Sequence, residues 1–297
     1  MNTEFNKKFV RDLKLPIAVW EEPYFSYFLK LIDPYYNSVS HYEMFINSIN
    51  NHGGELFFKN ISELLHKSID DIKSKKIYEE FNNFKLEQLK KEVKIESREL
   101  YHQDNDGKSF ISIDLVKANF QSIHYLFPDF FDGANTYQDF VKNLGFNDYM
   151  VVSKQIRQVL FGNLNPQRQQ KIQKYMMNKV AEFLIDSGVS VNNIYSLSSD
   201  ELVFENTGYN LEKIKEQLNG TGFNLRVESF KLEKPFKQAM FVKKIDDGSF
   251  VFKMVPTSMM AEFIKKFEGR PLEDYDFHFY DENKRLSKYL KPYIEDK

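Results

Sequence analysis

Asn193-Ile194-Tyr195-Ser196-Leu197-Ser198-Ser199-Asp200-Glu201-Leu202-Val203-Phe204-Glu205 is the stretch on which the fold turns. An apolar, β-prone run reaches a short polar step, and a second apolar run leaves it. Aromatic and β-branched residues around a step of Ser and Asp predict a hairpin. Two adjacent carboxylates, Asp200 and Glu201, stand near its tip. A second stretch answers it upstream: Ser109-Phe110-Ile111-Ser112-Ile113-Asp114-Leu115-Val116-Lys117-Ala118-Asn119-Phe120. It reads as a strand ending at a lone Asp114, which gives way to a helix or helical turn from Asp114 to Leu126.

Between the two, apolar residues Ile172, Met176, Val180, Phe183 and Leu184 recur at helical spacing from Pro166 to Ser187. Pro166 suits a first helical turn, and Gly188 suits a stop. After the hairpin, Asn206-Thr207-Gly208 reads as a turn, Leu211 to Leu218 as a short helix and Phe223 to Leu232 as a strand. The order is β-α-β-β-α-β, that of a ferredoxin-like core in an α+β protein, with an insertion at 128–165. Such a core hosts many functions, so the order does not decide activity.

Around that core, at 106–234, lie two further regions. Residues 1–105 are expected to be helical. Trp20 to Ile32 reads as a buried helix ended by Pro34. Ser38 to Asn50 reads as a second helix, closed by Gly53-Gly54. Residues 61–93 carry apolar positions at three- and four-residue spacing, as amphipathic helices do. Residues 235–297 are expected to form a small hairpin-and-helix extension. Its hairpin is centred on Asp246-Asp247-Gly248, its helix runs from Ser258 to Phe267, and a charged tail follows. Asp274, Asp276 and Asp281 read as a solvated loop.

Composition narrows the classes. The chain has 297 residues, 42% of them hydrophobic, with 29 Phe and 17 Tyr, enough apolar surface for a large core. A formal net charge of −2 excludes a uniformly basic nucleic-acid binder, so any such surface is a local patch. With no Cys, disulfides, thiolate nucleophiles and Cys-zinc sites are excluded. Neither a signal-peptide run nor a span-length apolar stretch is visible, so no membrane partner and a cytoplasmic location are expected, in host cytoplasm if the source is viral. The wealth of Asn, Lys, Ile, Phe and Tyr suits an AT-rich genome.

In the expected sheet the first strand neighbours the central hairpin, so Asp114 would face Asp200 and Glu201. Carboxylates that converge repel one another unless a cation sits among them, and oxygen donors suit Mg²⁺ or Mn²⁺. Two such ions ~4 Å apart support nucleotidyl transfer. From about Tyr149 to Ala181 the chain carries Lys154, Arg157, Arg168, Lys171, Lys174 and Lys179 and no acid. That patch suits a triphosphate or a nucleic-acid backbone, RNA or DNA. The bland alternatives are concrete: Asp114 as a helix cap, Asp200-Glu201 as turn acids, the lysines as a solvated helix surface.

The strand-Asp-plus-hairpin-acid arrangement resembles the palm domain of polymerases and related nucleotidyltransferases. Ser199-Asp200-Glu201-Leu202-Val203-Phe204, after the helix with Met177-Asn178-Lys179-Val180-Ala181-Glu182, is similar to the Ser-Asp-Glu segment of the tRNA-His guanylyltransferase family. That resemblance implies metal ligation by Asp200, Asp114 and the carbonyl of Leu115. The family has Gly directly after its first Asp, where this chain has Leu115. Asp114-Leu115-Val116-Lys117-Ala118-Asn119-Phe120 instead resembles the first acidic motif of reverse transcriptase-like polymerases, which implies nucleotide contacts at Leu115 and Asn119. Lys154 to Gly162 is similar to the nucleotide-binding helix of family B DNA polymerases, without its Asn-Ser. The expected function is metal-dependent transfer from a nucleoside triphosphate to a nucleic-acid or nucleotide hydroxyl. Asp114, Asp200 and Glu201 would be catalytic, and Leu115, Asn119, Lys154, Arg157 and Arg168 would bind nucleotide. An inactive nucleic-acid-binding or viral assembly module, and a nucleotide cyclase or signalling-nucleotide synthase, are the alternatives.

Overall fold

The computed structural model describes residues 2–89, 92–281 and 285–297. Lys90 and Lys91, inside the run expected to be helical at 61–93, and part of the charged tail lie outside the described residues.

Five helices open the chain: α1 (Thr3–Leu13), α2 (Tyr24–Tyr36), α3 (Ser38–His52), α4 (Glu55–Ser74) and α5 (Lys76–Asn83). Asn2 caps α1 through its side chain, and Lys14 ends it in the left-handed region at φ 57°. Pro34 does not end α2 but lies inside its last turn, and the helix stops only at left-handed Asn37. A proline so close to the end withholds an N–H from a single turn, and the next element starts at once.

The central region runs β1 (Ser109–Leu115), α6 (Ala118–Leu126), α7 (Tyr137–Asn143), α8 (Asp148–Val152), α9 (Lys154–Gly162), α10 (Pro166–Asp186), β2 (Ile194–Leu197), β3 (Glu201–Glu205), α11 (Leu211–Asn219) and β4 (Leu225–Glu233). Asp114 is a strand residue, and the helix expected to begin there starts at Ala118, after Lys117 turns the backbone into the left-handed region at φ 53°. Then follow β5 (Phe241–Ile245), β6 (Phe250–Lys253), α12 (Met260–Phe267) and a two-stranded ladder, β7 (His278–Tyr280) with β8 (Leu286–Lys288).

Six strands form one antiparallel sheet in the order β2-β3-β1-β4-β5-β6. The β5–β6 hairpin therefore continues the main sheet. β4 makes this possible: Leu225 to Lys231 pair with β1, and Phe230 to Glu233 pair with β5.

Alternation along β1 gives the sheet two different faces. Ile111, Ile113 and Leu115 join the large core, which also holds Phe9, Phe45, Ile172, Val180, Val242, Phe263 and Ile294. That core links all three stretches of the chain. Phe110, Ser112 and Asp114 point the other way. On that face Phe110, Tyr195, Val203, Phe230, Leu232 and Phe241 make a smaller core, covered by Leu100. Register puts Glu201 and Arg226 beside Asp114 on this same face.

The acidic segment 274–281 is not a solvated loop. Asp276 is 1% exposed and accepts from Tyr27 Oη and Lys265 Nζ. The carboxylate escapes water because Lys265, equally buried, travels with it. Among the described residues no helix is long and apolar enough to cross a membrane.

Candidate functional site

The hairpin and the first strand are tied at the backbone. Leu115 donates its N–H to the Asp200 carbonyl at 2.9 Å, and Asp114 lies opposite Glu201 in register. Ser198 shapes the tip. Its hydroxyl accepts from the N–H groups of Asp200 (3.3 Å) and Glu201 (2.9 Å) and stands 3.2 Å from Asp200 Oδ1. A serine two residues before the acid closes the turn in this way and leaves Asp200 exposed at its end.

A cleft of about 450 Å³ opens there, lined by Asp114, Leu115, Asn119, Lys154, Arg157 and Asp200. Lys117 and Arg226, which sequence reasoning missed, line it too. Four cationic side chains thus face two carboxylates in a chain that is slightly acidic overall.

Arg226 Nη2 lies 2.7 Å from Asp114 Oδ2, and its Nε lies 3.3 Å from Glu228. Burial pushes the Asp114 carboxyl up. Arg226 pulls it down, and the negative charges of Glu201, Asp200 and Glu228 push it up again, with a net rise above the ordinary value. Lys117 is the mirror case. Burial, then Arg157, Lys154 and Arg226, bring its ammonium down to about 8. Its Nζ lies 5.3 Å from the ring of buried Tyr137, and the Arg157 guanidinium lies 6.0 Å from the same ring.

Lys154 and Arg157 come from the start of α9, one turn apart. Ser153 caps that helix by accepting from the Ile156 N–H at 3.2 Å. Beneath it, the Ser153 hydroxyl donates to the Asp12 carbonyl at 3.4 Å, and Tyr149 Oη donates to the buried Asp12 carboxylate at 3.0 Å. The N-terminal helix α1 is thus the mount of the cationic helix. Asn119 is fixed by donating to Gln169 Oε1 at 2.8 Å, and Gln169 in turn holds the carbonyls of Phe161 and Leu164.

Two expected site residues have other work. Glu201 shares the face of Asp114, but its carboxylate lies 3.6 Å from buried Lys243 on β5. β5 is three strand spacings from β3, about 14 Å in a flat sheet, so this pair marks a sheet curled toward the face. Arg168 does not line the cleft. Its guanidinium donates to the Phe84 carbonyl and stands 5.6 Å from the Phe81 ring. It lies in the first turn of α10, where it holds the chain after α5.

Lys117 had a signal in the sequence, since it stands inside the motif between Asp114 and Asn119. Arg226 had only a faint one: two charges, Arg226 and Glu228, at alternate positions of a strand. Among the described residues no three His, Asp or Glu side chains are gathered as a ready-made metal cage. Asp114 and Asp200 remain a hard-oxygen pair of the kind that takes a divalent cation together with substrate phosphates. No protein-family description, curated protein or solved structure matches this chain.

Proposed function

We propose that the cleft carries out metal-dependent nucleotidyl transfer, from a nucleoside triphosphate to a hydroxyl of a nucleic acid or nucleotide. One observation carries this reading: Asp114 and Asp200, remote in sequence, line one cleft together with Lys154 and Arg157. In this reading β1 to β4 with their crossover helices are a ferredoxin-like palm. The strand order β2-β3-β1-β4, with Asp114 on the face turned away from the large core, supports it.

Asp114 and Asp200 would hold Mg²⁺ or Mn²⁺; burial first, and then the negative charges of Glu201, Asp200 and Glu228, raise Asp114, and a cation there would offset both. Bound, the ion supplies Lewis-acid polarisation of a phosphoryl oxygen and a lowered pKa for the attacking hydroxyl. The chain's own groups do the rest. Lys154 and Arg157 neutralise the triphosphate from the first turn of α9, where the helix dipole also favours an anion. Lys117 adds a third cation from the turn after β1. Arg226 orients Asp114, and Asn119 is fixed by Gln169 as a polar contact for the nucleotide.

The test is Asp200→Asn with mixed nucleoside triphosphates and an oligonucleotide acceptor. Incorporation is expected to fall by about a thousandfold or more, with thermal melting unchanged. A folded variant that still incorporates nucleotide at the parent rate sinks the reading. Product analysis separates polymer, dinucleotide and cyclic products. The Arg226–Asp114 ion pair favours a second reading, a nucleic-acid-binding module without catalysis, because the guanidinium already neutralises the acid. Oligonucleotide binding with no melting shift from Mn²⁺ plus a nucleoside triphosphate selects it.

A further inference from the structure

Lysines from three remote stretches, the start of α9, the end of α1 and the β5–β6 hairpin, are brought toward the carboxylates by packing and by the curl of the sheet. Lys154 opens α9. Lys14 ends α1, two residues after Asp12, whose main chain and side chain hold Ser153 and Tyr149. Lys253 stands on β6, and its register partner Phe241 belongs to the small core on the Asp114 face. Lys243, paired with Val251, shares that face and reaches Glu201.

The charges of Lys14 and Lys253 both weigh on Lys154, and that of Lys253 weighs on Lys243. The geometry agrees: α1 brings Lys14 to the start of α9, and the curl that carries Lys243 to Glu201 carries Lys253, two residues beyond Val251 on the same face, with it. None of Lys14, Lys154 and Lys253 lies within ion-pair distance of a carboxylate among the described residues. Like charges held together without counterions repel, and an anionic ligand relieves that repulsion. Beside Lys253 the apolar surface is bare: Val251 is 37% exposed, and Met254, at φ 60°, is 55% exposed.

We propose that Lys14 and Lys253 guide the acceptor, a single-stranded nucleic acid, into the cleft, its phosphodiesters on the lysines and its bases against Val251 and Met254. The inference rests on the nucleotidyl-transfer reading and names the acceptor. A single strand offers both features at once, a charged backbone and unpaired base faces, whereas a duplex hides the faces. The N-terminal helical region thereby gains a second task besides mounting α9.

The experiment is fluorescence anisotropy of the full chain with a labelled twelve-nucleotide oligo-dT or oligo-U, titrated at several salt concentrations. The parent protein is expected to bind, and Lys14→Glu with Lys253→Glu to bind at least tenfold more weakly. The slope of log affinity against log salt should flatten by about 1.4, two phosphates at about 0.7 each. Lys67→Glu with Lys213→Glu, exposed lysines that do not line the cleft, makes the same charge change and should leave binding within twofold. Melting curves check folding, and Lys14→Gln with Lys253→Gln repeats the test with less perturbation. Unaltered affinity in the cleft variants, equal loss in the control pair, absence of binding by the parent, or tighter binding of duplex than of single strand overturns the inference. Mg²⁺–ATP binding, read separately by melting shift, should be retained in Lys14→Gln with Lys253→Gln, which leaves Lys154 and Arg157 in place. Failure of that shift in the parent counts against the transfer reading and not against the path.

Discussion

Two clusters of charge in this molecule are built on opposite plans. In the first, Lys265 and Asp276 are each 1% exposed and lie 3.2 Å apart. Glu273 takes a second contact from Lys265 at 2.8 Å, its own N–H reaches Asp276, and Tyr27 closes the set from α2. Every strong donor finds an acceptor. In the second, the cleft, four cations face two carboxylates, and Lys117, Lys154 and Arg157 have no carboxylate within ion-pair distance among the described residues. The first cluster is closed, its buried pair of charges is matched, and it joins α2 to the segment after α12. The second is open and holds surplus positive charge. A balanced, buried set serves the fold, whereas surplus charge around a cavity is compensated only when an anion arrives.

That contrast is open to breaking by one substitution on each side. Lys265→Met leaves Asp276 buried without its cation and is expected to cost about 3–5 kcal/mol of unfolding free energy. Adding Asp276→Asn should recover part of it. Lys154→Met should do the reverse: a stability change of about 0.5 kcal/mol or less, as for most exposed positions, with triphosphate binding about tenfold weaker. Urea titration and nucleotide titration of the same two proteins measure both. Equal stability losses would erase the distinction between the clusters.

A finer cut uses pH. The folded protein holds Lys117 near 8, below the ordinary lysine value of 10.5. Between those values the unfolded chain binds the extra proton, so the Lys117 contribution to stability rises with pH across that window. Anion binding runs the opposite way, because the ammonium attracts phosphate only while protonated. Affinity for inorganic triphosphate should therefore fall by up to about tenfold from pH 7 to pH 9, one pK unit of interaction. Lys117→Arg should flatten the profile. A parent profile as flat as the variant's would remove Lys117 from the phosphate site.

What could be read from the sequence follows from the range of each interaction. The strand that carries Asp114, the hairpin with Asp200 at its turn, and α10 with its apolar stripe announce themselves in local periodicity, and all are present. Their meeting in one cleft followed from a single assumption about strand order. Arg226 was not legible, because its place opposite Asp114 exists only once β4 pairs with β1. Glu201 looked free because Lys243, its partner, stands on a strand that reaches it through curvature alone. Asp276 looked solvated because nothing near it in sequence reveals Lys265 as its counterion. The same holds for α1: part of a region expected only to be helical, it acquires a bearing on the site through one buried Asp12 that meets Tyr149 and Ser153.

Arg168 supplies the smallest and most discriminating case, since composition placed it with Lys154 and Arg157 and the fold does not. Its charge is spent on a main-chain acceptor, the Phe84 carbonyl, and burial lowers its pKa. Arg168→Ala should therefore behave like a member of the closed class: a loss of about 1 kcal/mol from the broken hydrogen bond, with nucleotide affinity within twofold of the parent. Arg157→Ala should show the opposite pair of readings. If Arg168→Ala weakens nucleotide binding as much as Arg157→Ala does, surplus charge acts on the ligand from outside the cleft. The boundary drawn here between closed and open charge would then have to move out to the whole of α10.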